Sequence, residues 1–449
     1  MKAKKIFYFS LVTISLIGLL LRLNKYDRIP PFGETKDEFI YPWAGLSLIE
    51  KRVPESWSPF VSYPVKYNLH AWGETFTMVK PFLEKPFLYP LVTGTVAYLT
   101  GEQTFVDVRL TTIRLIPITL SVVSIFLIGL LAASVFNPTV GILASLIYAT
   151  TPTIVLSNRL SLAENLLTPL VLLALYLIHR LKTHQSTLIP HVLGILSGLA
   201  LHTKQIGIVL PLSLIFIFRT DKTCRKCFVV LFYTIFFGII YLLIPALYNW
   251  TVFIRVSQEL RQAHALGLPE AIFTLFRFPG IGHKESLFFD GSILAGWILL
   301  LSAPFWFKAE LREKLTILAF PFVYLIFVVI GEGGQTWYGW HLFPLYPFLT
   351  ILIAFALYML WRNLDLLQCL FFILILGSST LRFWLLIKLE LNHSWQVILI
   401  SGLLIILSIW QLKNLRRPLL LSLLGLYTLV NLMVVLNLDL IYRTIPQPH

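Results

Sequence analysis

One feature limits what this chain can fold into more than any other. Apolar runs of roughly 16 to 22 residues, the length a helix needs to cross a bilayer, recur from one end to the other. They fall at about 6–23, 112–135, 139–156, 166–181, 188–203, 205–218, 228–248, 291–307, 315–331, 342–361, 366–381, 395–411 and 418–438. Lipid offers no partner to a backbone amide, so such runs satisfy themselves as helices. Composition agrees: of 449 residues 57% are hydrophobic and only 13% charged, with mean hydropathy +0.79. A soluble domain carries about a quarter charged residues. Disordered, nucleic-acid-binding and ordinary cytosolic classes are thereby excluded. The expected class is an all-α polytopic membrane protein, a single domain over 1–449.

The net charge of +14 sits in short clusters between the runs, as the positive-inside rule requires. One further run, Phe87 to Leu99, is short for a span and carries Pro90 and Gly94, and whether it crosses sets the sidedness of everything after it. If it lies on the surface, one face collects Lys2, Lys4, Lys5, Arg180, Lys182, Arg219, Lys222, Arg225, Lys226, Lys308, Arg312, Lys314, Arg362, Lys413, Arg416 and Arg417. If it crosses, all but the first three change sides. Charge bias selects the first arrangement: thirteen spans, N-terminus in the cytoplasm, and a first extracytoplasmic loop of about 24–110 carrying interfacial helices. A second extracytoplasmic loop covers 249–290, and spans five and six meet outside in a tight turn at Lys204. The N-terminal run is followed by Arg22-Leu-Asn-Lys25 rather than small residues, so it reads as an uncleaved span. Cys224 and Cys227 form a lone CxxC in a basic loop, with neither a second pair nor a nearby histidine.

The spans hold almost no Asp, Glu, Lys or Arg, whereas ion-coupled transporters place such residues at the midplane. Ionisable and aromatic residues gather instead on the outer face, in three constellations. The first is Gly33-Glu-Thr-Lys-Asp-Glu-Phe-Ile-Tyr41, the second Phe82-Leu-Glu-Lys-Pro-Phe-Leu-Tyr-Pro90, and the third Arg159 to Asn165, RLSLAEN. Alone, each reads as an interfacial salt bridge. Their common face makes a site.

In this order the residues resemble the GT-C membrane glycosyltransferases of glycosyltransferase family 39, the protein O-mannosyltransferase and aminoarabinose (lipid A) transferase type. The family's Asp-Glu pair is matched by Asp37 and Glu38 with Tyr41 following. Its acidic-basic-Pro-Pro-Leu motif is matched by Glu84, Lys85 and Pro86, with Phe87 in place of the second proline and Leu88 kept. Arg114-Leu-Ile-Pro117 stands for an Arg-Leu-Pro segment with one extra residue, and Glu164-Asn165 for a second acidic position. Gly198-Leu-Ala-Leu-His-Thr-Lys204 and Tyr338-Gly-Trp-His-Leu-Phe-Pro-Leu-Tyr-Pro347 match two later stretches. No Trp-Trp-Asp motif of the oligosaccharyltransferase catalytic kind is present. The family also places its first loop outside, in agreement with the charge bias.

The resemblance implies a GT-C fold and a polyprenyl-phosphate-linked sugar as donor. Sidedness points the same way, because nucleotide sugars are made in the cytoplasm. The expected reaction is transfer of a hexosyl or pentosyl group to an acceptor hydroxyl with inversion. Asp37 is expected as general base and Lys85 as the cation facing the leaving phosphate, with Arg114 or Lys204 as second candidates. Glu38 or Glu164 is expected to orient a sugar hydroxyl or one of these cations, and Tyr41, Glu84, Arg159, Tyr338 and His341 to complete the substrate-binding set. In the lipid A branch the carboxylate corresponding to Glu84 binds zinc with a loop histidine. A divalent metal is therefore a candidate cofactor, with His264 or His283 as partner, though no spacing selects either. Expected partners are the lipid-linked sugar, membrane lipid and a glycolipid, glycan or protein acceptor, with no nucleic acid. The competing reading is a flippase or transporter of a polyprenyl-linked glycan. The expected location is a prokaryotic cytoplasmic membrane, with the site outside.

Overall fold

The computed structural model describes residues 2–31, 34–181, 186–220, 224–263, 290–331, 339–386 and 394–439. Its first half contains α1 (Lys2–Leu23), α2 (Asp37–Lys51), α3 (Leu88–Leu99), α4 (Leu110–Ile113), α5 (Leu115–Val135), α6 (Pro138–Thr150), α7 (Pro152–Ser157), α8 (Glu164–Arg180), α9 (Leu188–Thr203) and α10 (Val209–Thr220). The second half contains α11 (Cys224–Ala263), α12 (Gly291–Trp306), α13 (Leu311–Gly331), α14 (Tyr346–Asn363), α15 (Leu366–Leu386), α16 (Ser394–Gln411) and α17 (Arg416–Leu436). The apolar runs of the sequence are helical, though those at 112–135, 139–156, 205–218 and 342–361 are each divided between two helical elements. Among the described residues, five stretches are long and apolar enough to cross a bilayer: Ala3–Leu23, Leu110–Val135, Arg225–Gln262, Gly339–Asn363 and Lys413–Leu436. The chain is an integral membrane protein. The main core joins α1, α5, α6, α8 and α14 through residues such as Ile125, Leu131, Ile147, Leu172 and Ile351.

The all-α expectation needs one correction. The first loop carries a three-stranded antiparallel sheet, β1 (Ser56–Trp57), β2 (Lys66–Ala71) and β3 (Glu74–Val79), in the order β1-β3-β2. In the hairpin, Tyr67 faces Met78 and Leu69 faces Phe76. Its two turn residues, Trp72 and Gly73, both take positive φ, +52° and +77°. Two-residue hairpin loops favour that geometry because it matches the strand twist. Phe76 and Met78 pack with Phe39, Trp43 and Leu46 of α2. The sheet is thus a cap on α2.

Helix α2 is buried over most of its length and lies against α3 with backbone touching backbone. A Cβ on Gly45 would stand 1.8 Å from the Pro90 carbonyl oxygen, and one on Gly94 2.3 Å from the Gly45 carbonyl carbon. Only glycine allows such an approach.

The stretch expected as a second loop from 249 begins as helix, since α11 runs on to Ala263. Asn249 breaks α11 at φ −168°, ψ 95°, and its side chain accepts the Val252 amide at 3.0 Å. That bond caps a new helical segment. Val252, Phe253 and Val256 then pack under Ile40, Ala44, Phe82 and Phe87. Glu259 accepts the Ser62 amide and hydroxyl at 3.3 and 2.8 Å. The rest of that loop lies outside the described residues.

Candidate active site

Asp37 and Glu38 open α2, where carboxylates complement the helix dipole. The Asp37 amide donates to Thr35 Oγ1 at 3.1 Å. Successive helical residues point about 100° apart, so the two acids meet different surroundings. Glu38 turns inward and has no exposed surface. Its carboxylate takes a two-pronged contact from Arg114, Nε to Oε1 at 3.0 Å and Nη2 to Oε2 at 2.7 Å. The Ser161 amide adds a third bond at 3.0 Å. Arg114 spends its other nitrogen, Nη1, on the carbonyls of Tyr26 and Pro30, at 2.9 and 2.8 Å. This pair binds the chain ahead of Asp37 to α5 and to the 158–165 turn. Expected as a catalytic residue, Glu38 sits where it can orient Arg114 and the backbone.

Asp37 turns the other way, with Lys85 Nζ 3.9 Å from Oδ2 and 21% of each side chain exposed. Glu84, one residue earlier, points into the protein. Burial pushes its carboxyl up to about 7, against the pull of Ser58 and Lys85 and with a further push from Asp37. Its Oε1 has no hydrogen-bond partner among the described residues. The Glu84 carbonyl accepts Gln205 Nε2 at 2.9 Å, which ties this turn to the α9–α10 turn.

There a second ionic cluster forms. Lys204 is extended (φ −155°, ψ 145°) before the 3-10 turn Gln205–Ile208. A Cβ on Gly207 would fall 2.0 Å from the Ala200 carbonyl oxygen, so the reversal is tight enough to need glycine. The Lys204 ammonium pairs with Glu164 at the start of α8. It lies 3.0 Å from His341 Nδ1. His341 Nδ1 is 3.8 Å from Glu164 Oε1.

The remaining expected residues divide. Tyr41 is buried edge-to-face against Tyr89, ring centroids 5.1 Å apart, and Tyr89 shares a 3.0 Å hydrogen bond with Ser161 Oγ. Arg159 is fully buried and donates to the Ile29 and Leu21 carbonyls at 3.0 and 2.8 Å, at the end of α1. Tyr338, His264 and His283 lie outside the described residues. Among the described residues no three His, Cys, Asp or Glu side chains are placed to share a metal. Glu84 is the one member of that expected set among the described residues.

Sequence reasoning passed over Arg22, Asn158, Ser161 and Gln205. An arginine closing an apolar run reads as a flank reaching for water. Arg22 is instead wholly buried. Ser161 and Gln205 act through a backbone amide and a side-chain amide, which no residue pattern marks.

A family model described as dolichyl-phosphate-mannose-protein mannosyltransferase matches residues 84–250. That stretch includes Glu84, Lys85, Arg114, Glu164 and Lys204. No curated protein matches the chain. Solved structures do. The chain is similar to ArnT from Cupriavidus metallidurans bound to undecaprenyl phosphate, at 15% identity and TM-score 0.58, over 97% of this chain and 76% of that one. It is also similar to the Archaeoglobus fulgidus oligosaccharyltransferase in the apo form, at 14% identity and TM-score 0.57, over 98% of this chain and 56% of that one. The same archaeal enzyme, AglB, with an inhibitory peptide and a dolichol-phosphate matches at 13% identity and TM-score 0.55, over 96% and 56%. The chain therefore spans little more than half the length of the archaeal protein.

Proposed function

We propose that this chain, whose fold is that of the GT-C membrane glycosyltransferases, moves a sugar from a polyprenyl phosphate to an acceptor hydroxyl. One observation carries the reading. Of three ion pairs among the expected residues, Asp37–Lys85 is partly exposed, whereas Glu38–Arg114 and Glu164–Lys204 are buried. A general base and a cation for a leaving phosphate must both reach substrate; their supports need not.

In the proposed reaction the acceptor oxygen attacks the anomeric carbon as its proton passes to Asp37. The bond from that carbon to the phosphate oxygen breaks with inversion, and its electron pair leaves on the phosphate. Lys85 balances the charge that develops there. Glu38 and Arg114 hold Asp37 in place, while Glu164, Lys204 and His341 form a separate buried cluster. The donor class is supported by the undecaprenyl phosphate and dolichol-phosphate in the similar structures. It is supported also by the family-model match. The acceptor is a glycolipid, glycan or protein hydroxyl.

The proposed topology has thirteen spans with the N-terminus in the cytoplasm and the site outside, as the basic loops favour. α2, α3 and the sheet then lie at the outer interface. A cysteine at Val61, 78% exposed, tests the side. Labelling of intact cells by an impermeant maleimide is expected; labelling only after lysis reverses the topology.

The deciding measurement supplies purified protein with a radiolabelled polyprenyl-phosphate sugar and an acceptor extract, and follows release of polyprenyl phosphate. Release by the wild type and its loss in Asp37→Asn supports transfer. Equal turnover in that variant removes Asp37 from the role of base. Passage of intact glycolipid across vesicles without cleavage replaces the transferase reading by a flippase.

A further inference from the structure

The turn between α7 and α8 touches both the Glu38–Arg114 and the Glu164–Lys204 pairs. Its Ser161 amide donates to Glu38 and its Ser161 hydroxyl meets Tyr89. Arg159 holds the end of α1, and Glu164 pairs with Lys204. Whatever fixes this turn fixes both ionic clusters relative to each other.

A chain of neutral amides fixes it. Arg22, in the last turn of α1, makes five hydrogen bonds, one for each of its N–H groups. Nη1 reaches the Gly18 and Ala149 carbonyls, each at 3.1 Å. Nη2 reaches the Tyr148 carbonyl at 3.3 Å and Asn158 Oδ1 at 2.8 Å. Nε also reaches Asn158 Oδ1, at 3.2 Å. All of these acceptors are neutral. Asn158 then donates from Nδ2 to Asn165 Oδ1 at 3.0 Å and to Tyr148 Oη at 3.4 Å. Asn165 closes the turn on itself, donating to the Ser157 and Leu160 carbonyls at 3.0 and 2.8 Å. A carboxamide both accepts from a guanidinium and donates to a second amide; a carboxylate or an alkyl group of the same size cannot do both. Arg22, Asn158 and Asn165 are all buried, so a broken link finds no water to replace it.

We infer that Asn158, held by Arg22, is a positioning residue that sets the 158–165 turn and through it the spacing of the Glu38–Arg114 and Glu164–Lys204–His341 clusters. Its effect on rate rests on the transfer reading above; its effect on the turn does not.

The experiment uses the full-length protein in detergent or nanodiscs, with two variants that cut different links. Asn158→Asp keeps an acceptor for Arg22 and loses the donor to Asn165. Asn165→Asp keeps the acceptor for Asn158 and loses the donors that close the turn. Hydrogen exchange of the peptide containing Ser161 is expected to speed up by about tenfold or more in each, as local opening becomes easier. The melting temperature is expected to stay near wild type in at least one. In that variant kcat is expected to fall by about 10- to 100-fold, the scale of a displacement near 1 Å. Adding Glu164→Gln is expected to cost less than the product of the single losses, because the shifted turn already displaces Glu164. Unchanged exchange at Ser161 in both variants overturns the inference. So does a rate loss that merely tracks the folded fraction, or strict additivity with Glu164→Gln. If the wild type shows no sugar transfer, the transferase reading fails and the exchange result alone decides this one.

Discussion

Two ion pairs whose carboxylates are adjacent in α2 behave as opposites. Glu38 and Arg114 are fully buried, doubly bonded and joined to three main-chain groups. Asp37 and Lys85 stand 3.9 Å apart with a fifth of each side chain open. Burial of a charged pair is a poor source of net stability, but losing one partner leaves a stranded charge. The inner pair therefore gives a fixed geometry and a high cost of disruption. The outer pair is loose enough to be parted by a substrate. Chemistry and scaffolding are divided between two neighbouring carboxylates.

The largest expected effect tests that division at the open pair. Asp37→Asn is expected to lower turnover by about 10²–10⁴-fold, the usual value of a general base, with the thermal transition unmoved. Arg114→Ala should do the reverse first. It strands the Glu38 carboxylate in a dry site, a loss of about 3–5 kcal/mol, seen as a lower melting temperature and poor recovery of folded protein. If Arg114→Ala melts like wild type and only slows turnover, the inner pair belongs to the chemistry and the contrast collapses.

Gly45→Ala comes next and should move both readouts together. The added Cβ would sit 1.8 Å from the Pro90 carbonyl oxygen, so α2 and α3 must part, at a cost of about 1–3 kcal/mol. Asp37 begins α2 and Lys85 lies three residues ahead of α3, so their separation changes too. A lower melting temperature with a smaller, parallel drop in rate is expected. Loss of stability alone would mean that the Asp37–Lys85 distance does not govern the rate.

Periodicity and charge made the helices and the clustering of ionisable residues legible, because both are written locally along the chain. Asp37, Glu38, Glu84 and Lys85 stood out as ionisable residues in a chain with few. What each does was not legible, since it depends on a partner far away in sequence: Arg114 for Glu38, Lys204 and His341 for Glu164. The hairpin was visible in principle. Alternation in Lys66–Ala71 and Glu74–Val79 around Trp72-Gly73 is a two-residue turn signal, but the aromatic richness of the loop drew attention to the membrane surface instead. The burial of Arg22 was not legible either. A guanidinium with five neutral acceptors can stay inside, and no rule of flanking charge reports that.

The smallest expected effect sets the floor for the comparison. Lys36 immediately precedes Asp37 and pairs with Glu74 of β3, with 43% and 50% of the two side chains exposed. Its ammonium also lies 5.6 Å from the centre of the Phe76 ring. A pair this open contributes about 1 kcal/mol or less and weakens further with salt. Lys36→Ala is therefore expected to shift melting by no more than a degree or two and to leave turnover within about twofold. Lys85→Ala, which removes the same charge from the other side of Asp37, is expected to cost at least tenfold in rate at unchanged stability. Lys36 pairs with Glu74, whereas Lys85 pairs with Asp37. Equal losses in the two variants would show that any positive charge near Asp37 suffices, and the open pair would lose its claim to a specific geometry.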